Sequence, residues 1–168
     1  PELDRDATTA GVVVNYEYPA RGDLPPVKMT WYDGDKRPDK LSTLKDTEGK
    51  PVNWGNGQLF VGEYGTIISS YSDHRLFPGD NGDELKRPEA YISPSIGHHN
   101  EWIEAIKTGG STTCNFDYSG ALTEAVLLGV VSYRSGDALK WDAQNLRVTN
   151  SAKAQDMIHK EYRKGWTL

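Results

Sequence analysis

The stretch Ser119 to Arg134 reads SGALTEAVLLGVVSYR, and its Leu122, Ala125, Val126, Leu128, Gly129, Val130 and Val131 leave no wide polar face. A helix apolar on nearly every side has to be covered, so it is expected to be the central buried helix, closed by Gly136. Upstream, Ser95 can cap a helix in which His99, Trp102, Ile103 and Ile106 form one stripe, ending near Thr108-Gly109-Gly110. Downstream, Ala138 to Trp141 and Leu146 to Thr149 read as short strands joined through Asp142 to Asn145. Ser151 then caps a third helix with Ala154, Ile158 and Tyr162 spaced by four; Arg163 and Lys164 suit its C-terminal dipole and Gly165 its stop.

The first half changes period. Gly11 to Tyr18 and the alternating Pro26 to Tyr32 read as strands, and Gln58 to Glu63 with Thr66 to Tyr71 form the clearest hairpin signal, turning at Tyr64-Gly65. A short strand is expected at Arg75 to Phe77. Asp33 to Asn56 and Pro78 to Pro94 are polar, rich in turn residues, and read as loops; the first is long enough to be a functional lid, an excursion over a neighbour, or a mobile segment. Arg21-Gly22-Asp23 sits in a Gly- and Pro-rich connection, where a chance occurrence of so short a tripeptide outweighs an integrin-ligand reading. Strands first and helices later predict an α+β fold: a mostly antiparallel open sheet with about three helices packed on one face, one domain over residues 1–168.

Composition narrows the function. The chain has 168 residues with 17 glycines, 9 prolines, 5 tryptophans and 9 tyrosines, enough apolar bulk for a core and enough turns for a strand-rich half. A net charge of −5 provides no field for collecting phosphates, so nucleic acid is not an expected partner. The longest purely apolar stretch, Ala125 to Leu128, is far below the roughly 20 residues that cross a bilayer, so no membrane span is expected. The single cysteine, Cys114, reads as an inert, partly buried thiol. The chain opens at Pro1 without Met, a basic stretch or an apolar run, so the gene product is expected to begin elsewhere and this chain to be part of it.

Familiar catalytic signatures fail on inspection. Gly55-Asn56-Gly57 begins a dinucleotide fingerprint, but Phe60 takes the third glycine position and a strand follows where a helix is required. Gly79 to Lys86 lacks the P-loop ending, and Asp80, Asp83 and Glu84 lack the ligand alternation of an EF-hand. Tyr32 and Lys36 have the Tyr-x-x-x-Lys spacing but follow a strand and enclose Asp33-Gly34-Asp35, so no helix aligns them. No G-x-S-x-G elbow exists. His98, His99 and Glu101 open a helix; adjacent imidazoles diverge by about 100°, so His99 joins the apolar stripe while His98 stays available for acid-base or binding chemistry. Glu124, inside the most apolar helix, needs a hydrogen-bonding or ionic partner and reads as structural before catalytic.

Several segments in fixed order resemble one family. They are Pro19-Ala20-Arg21-Gly22 with Thr30-Trp31-Tyr32-Asp33-Gly34; Gly62-Glu63-Tyr64-Gly65; and His98-His99-Asn100-Glu101-Trp102-Ile103. Asn115-Phe116-Asp117-Tyr118 with Leu122-Thr123-Glu124, then Trp141-Asp142, Thr149-Asn150 and Glu161-Tyr162-Arg163-Lys164-Gly165-Trp166, complete the set. Together they resemble the C-terminal domain of the glucose-fructose oxidoreductase, inositol dehydrogenase and rhizopine-catabolism (Gfo/Idh/MocA) family, over nearly the whole chain. The resemblance implies a dihydrodipicolinate reductase-like C-terminal domain whose open sheet forms a substrate wall and an oligomer interface. It also implies an N-terminal Rossmann domain holding NAD or NADP in the parent. The family's Glu-Lys-Pro lysine and Asp-x-x-x-His histidine are absent here, so the resemblance assigns this chain no catalytic residue, no cofactor and no metal of its own.

The implied function is that of a substrate-shaping and oligomerising domain of an NAD(P)-dependent oxidoreductase acting on a sugar, cyclitol or derivative, cytoplasmic or exported. The other reading is a stand-alone carbohydrate-binding or scaffold module, because Trp31, Tyr32 and Tyr18 offer stacking surfaces. A small hydrolase on His98 and Glu101 lacks a nucleophile. The substrate-facing residues expected are Trp31, Tyr32, Asp33, Lys36 and Arg37, with His98 from a second side; strand alternation lets only one of Trp31 and Tyr32 face the substrate. A homo-oligomer through the uncovered sheet face is expected.

Overall fold

A computed structural model describes residue 7 and residues 9–79 and 88–166 of the chain. The expected acidic run Asp80, Asp83 and Glu84 therefore lies outside the described residues, as does most of the stretch from Gly79 to Lys86. In chain order the elements are β1 (Val13–Tyr18), β2 (Val27–Tyr32), α1 (Asp39–Thr43), β3 (Gln58–Val61), β4 (Gly65–Ser69), β5 (His74–Pro78), α2 (His98–Thr108), α3 (Phe116–Ser135), β6 (Trp141–Asp142), β7 (Arg147–Val148) and α4 (Ala152–Gln155). The fold is mixed, with small antiparallel sheets and four helices among the described residues, compatible with α+β. The strands lie in three separate sheets, β1-β2, β3-β4-β5 and β6-β7, where the sequence reading expects one.

The chain divides into two compact units, Pro1–Gly34 with Ser95–Leu168, and Asp35–Pro94. In the first, β1 and β2 pair from Val13↔Tyr32 to Tyr18↔Val27. Directly opposed residues share a face, so Val14, Tyr16 and Tyr18 stand with Trp31, Met29 and Val27, and the polar remainder faces the other way. On that polar face the Thr30 hydroxyl donates to Asn15 at 2.9 Å and Lys28 lies 3.7 Å from Glu17. The opposite face meets α3 at Gly129, where a Cβ would collide with the Tyr16 hydroxyl and touch Val14. Arg21 and Leu24 exchange backbone hydrogen bonds, so Arg21-Gly22-Asp23 forms a tight turn at the hairpin tip.

Three helix expectations are corrected. The Ser95 hydroxyl takes the Gly97 N–H two residues on, so it caps no helix, and α2 starts at His98. The longest helix starts earlier than expected, at Phe116, because Asn115 accepts the Tyr118 N–H as its N-cap. Its end at Gly136 agrees with the sequence reading, but only Gly129 and Ser135 are buried, so α3 is not a buried central helix within the described chain. Ser151 caps α4 as expected, through the Ala154 N–H, yet the helix is a single turn. Gln155 is drawn to the Val148 N–H at 2.6 Å, tying the turn to β7, while Arg163 stacks on Trp166 at 4.8 Å in a separate turn through Gly165.

The second unit carries its own small core. Leu44, Val52, Thr66 and Ile68 are buried, and the Val52 N–H donates to Leu44 at 2.9 Å. The polar run after Gly34 is thus not structureless: it forms α1, a bridge between Lys45 and Pro51, and an approach to β3. Phe60, Ile67 and Leu76 pair side by side across β3, β4 and β5 and stay 59%, 43% and 42% exposed, an apolar row on the sheet's outer face.

Candidate functional site

The end of β2 places the expected substrate residues as follows. Trp31 lies on the face that α3 touches and Tyr32 on the polar face, both more than a third exposed. The Asp33 N–H donates to Val12 at 2.9 Å, holding its exposed side chain just beyond the strand. The chain passes from the first unit to the second between Gly34 and Asp35, so Trp31, Tyr32 and Asp33 belong to one and Lys36 and Arg37 to the other. Arg37 Nη1 donates to the Lys36 carbonyl at 2.7 Å.

His98 opens α2, exposed, with its ring 4.1 Å from that of His99. Glu101 is engaged elsewhere: it accepts the Thr113 N–H at 2.7 Å and the Thr113 hydroxyl at 3.0 Å. Those two bonds, the backbone one first, hold the Glu101 carboxyl below its ordinary value, with a smaller contribution from His98. The carboxylate therefore staples α2 to the segment entering α3. Among the described residues no group of three or more His, Cys, Asp or Glu gathers where a metal ion would sit. Cys114 is exposed rather than partly buried, its Sγ 3.0 Å from the Ser119 hydroxyl. Glu124 has the partner its setting demands, accepting the Trp141 indole N–H at 2.6 Å.

A concave site lined by polar groups lies in the second unit, where the sequence reading expected a loop up to Asn56 and strands around Ser70 and Arg75 but no site. It is an open cleft of about 450 Å³ at the end of the three-stranded sheet, walled by the segment before β3 and the turn joining β4 to β5. The turn is set by the Ser70 N–H and Asp73 carbonyl at 2.7 Å and by the His74 N–H on the Asp73 carboxylate at 2.8 Å. Across from it, Trp54 carries the Arg75 guanidinium over its ring at 5.4 Å. Gly57, at φ 142°, lets the backbone pass against the Ser69 carbonyl and the Trp54 indole, where any Cβ would collide. The Trp54 indole N–H is buried without an acceptor among the described residues. The clue available in the sequence was a tryptophan inside a Gly- and Asn-rich run, Asn53-Trp54-Gly55-Asn56-Gly57.

Gly55-Asn56-Gly57 leads into β3 and not into a helix N-terminus. No helix of the described residues is long and apolar enough to cross a membrane. Comparison with protein-family models, with curated proteins and with solved structures finds no match.

Proposed function

We propose that this chain is the substrate-shaping and oligomerising part of an NAD(P)-dependent oxidoreductase of the Gfo/Idh/MocA type, acting on a sugar, cyclitol or derivative. The observation that carries the reading is the ordered set of resembling segments, and the exposure of α3 supports it. A helix of 20 residues, apolar on nearly every side, with two buried positions is built to be covered by another body, and the proposal supplies one in a Rossmann domain that holds NAD or NADP. The dihydrodipicolinate reductase-like open sheet belongs to the same proposal. It is supported by the all-antiparallel pairing and by the outer edges of β3 and β5, which pair with no strand among the described residues. The outer row Phe60, Ile67 and Leu76 suits the contact between copies better than the polar face of β1 and β2.

In this reading Trp31 or Tyr32 of the first unit offers a stacking face and Asp33 and His98 hydrogen bonds to hydroxyl groups, and Lys36 of the second unit is tested separately as a further contributor. The test is expression of the whole reading frame that contains this chain, assayed for reduction of NAD or NADP by a panel of sugars and cyclitols. Turnover is expected, with Tyr32→Phe, Asp33→Asn and Lys36→Met each lowering kcat/KM about tenfold or more, the worth of one hydrogen bond to a charged group. A reading frame without a strand, G-x-G-x-x-G and helix, or unchanged turnover in all three variants, removes the proposal or moves its substrate wall.

A further inference from the structure

We infer that the cleft at the end of the β3-β4-β5 sheet is a binding site for a sugar acid, a polyhydroxylated ring or chain carrying one carboxylate. The inference rests on the second unit alone and needs neither a Rossmann domain nor hydride transfer. Four side chains of the lining keep unused hydrogen-bonding capacity. Arg75 has no carboxylate within ion-pair distance among the described residues, and its guanidinium is held by stacking on Trp54, which leaves its N–H fork for a ligand. Asn53 and Asn56 make no side-chain hydrogen bond among the described residues, and each amide offers two donors and a carbonyl. Asp73 spends one oxygen on the His74 N–H and keeps the other.

That set defines the ligand by elimination. A neutral sugar satisfies the amides and Asp73 but leaves the Arg75 charge uncompensated. A phosphate ester brings nearly two negative charges beside the Asp73 carboxylate, where like charges repel. A single carboxylate fits the Arg75 fork in a bidentate pair, while hydroxyls a few ångströms away donate to Asp73 and exchange hydrogen bonds with Asn53 and Asn56. The cleft volume of about 450 Å³ suits a ligand of monosaccharide size.

Calorimetric titration of the full chain with D-glucuronate and D-galacturonate tests this, with D-glucose and glucose 6-phosphate as the neutral and doubly charged comparisons. At least one hexuronate should bind saturably and at least tenfold tighter than glucose and than the phosphate ester. Arg75→Gln should abolish that preference, and binding should shift the Trp54 indole N–H resonance, assigned by its loss in Trp54→Phe. Because Arg75 also supports Trp54, Asn56→Ala is the companion variant: its side chain makes no hydrogen bond among the described residues, so it should melt as the parent does and bind the hexuronate at least fivefold more weakly. No saturable hexuronate binding, a preference for glucose or the phosphate ester, or unchanged binding in Arg75→Gln and Asn56→Ala overturns the inference.

Discussion

Gly129 is where β1 meets α3 with no room for a side chain, since a Cβ there would collide with the Tyr16 hydroxyl. Gly129→Ala should therefore cost about 1–3 kcal/mol, the usual penalty for overpacking. Tyr16→Phe removes the oxygen that causes the collision, so the double variant should recover most of the loss, and urea unfolding of all four proteins measures the coupling. Strictly additive losses would mean that the hydroxyl is not the obstacle. Glu101 offers a second residue-scale test. Its carboxyl is held below the ordinary value by the Thr113 N–H and hydroxyl, so the staple's contribution is complete above the unfolded-state value and is lost as pH falls through the lowered one. Protection of the Thr113 amide against hydrogen exchange should decline over that acidic range in the parent and be pH-independent in Glu101→Gln, whose amide oxygen still accepts but does not titrate. An identical profile in both would remove Glu101 from the account.

At the scale of elements, what was legible depended on how local the determining interaction is. The β3-β4 hairpin follows from alternation and turn residues, which act within a few positions, and it forms close to where the sequence places it; β1 and β2 form where strands were expected, and the structure adds their pairing. Ser151 and Gly136 act as expected because caps are also local. Ser95 misled because a hydroxyl can satisfy a nearer N–H, here that of Gly97, as well as a helix start. Tyr162 misled because spacing by four says nothing about whether a partner surface exists, and α4 ends once Gln155 is anchored to β7. The cleft was the least legible feature. Trp54 and Arg75 are 21 positions apart and meet only because β3, β4 and β5 fold back in register, which no periodicity records. Of the residues expected to face a substrate, the opposed faces of Trp31 and Tyr32 could be read from the pleat alone.

At the scale of the whole molecule, the balance between buried and exposed apolar groups sets how the chain behaves in solution. Among the described residues Leu44, Val52, Ile68, Val148 and Ala154 are the buried hydrophobics, while Trp102, Ile106, Phe116, Leu122, Leu127 and Val130 are each about half exposed or more. Fully covering one such large side chain is worth about 1.5–3 kcal/mol, so covering a few of them rivals the roughly 5–15 kcal/mol by which a domain is stable at all. A chain left in this condition gains stability from whatever covers it, and at rising concentration the available cover is another copy. One apolar surface that a copy could cover is the outer row of the second unit, where Phe60, Ile67 and Leu76 stand side by side and exposed. We therefore expect the thermal midpoint to rise over about a hundredfold range of protein concentration, because self-association stabilises the folded state by mass action. Ile67→Lys puts a charge at the centre of the row and should flatten that dependence and shift sedimentation towards the monomer, whereas Thr30→Lys on the polar face of the first hairpin should leave both unchanged. A midpoint independent of concentration together with a strict monomer in the parent, or equal effects of the two variants, would show that this row is not where copies meet.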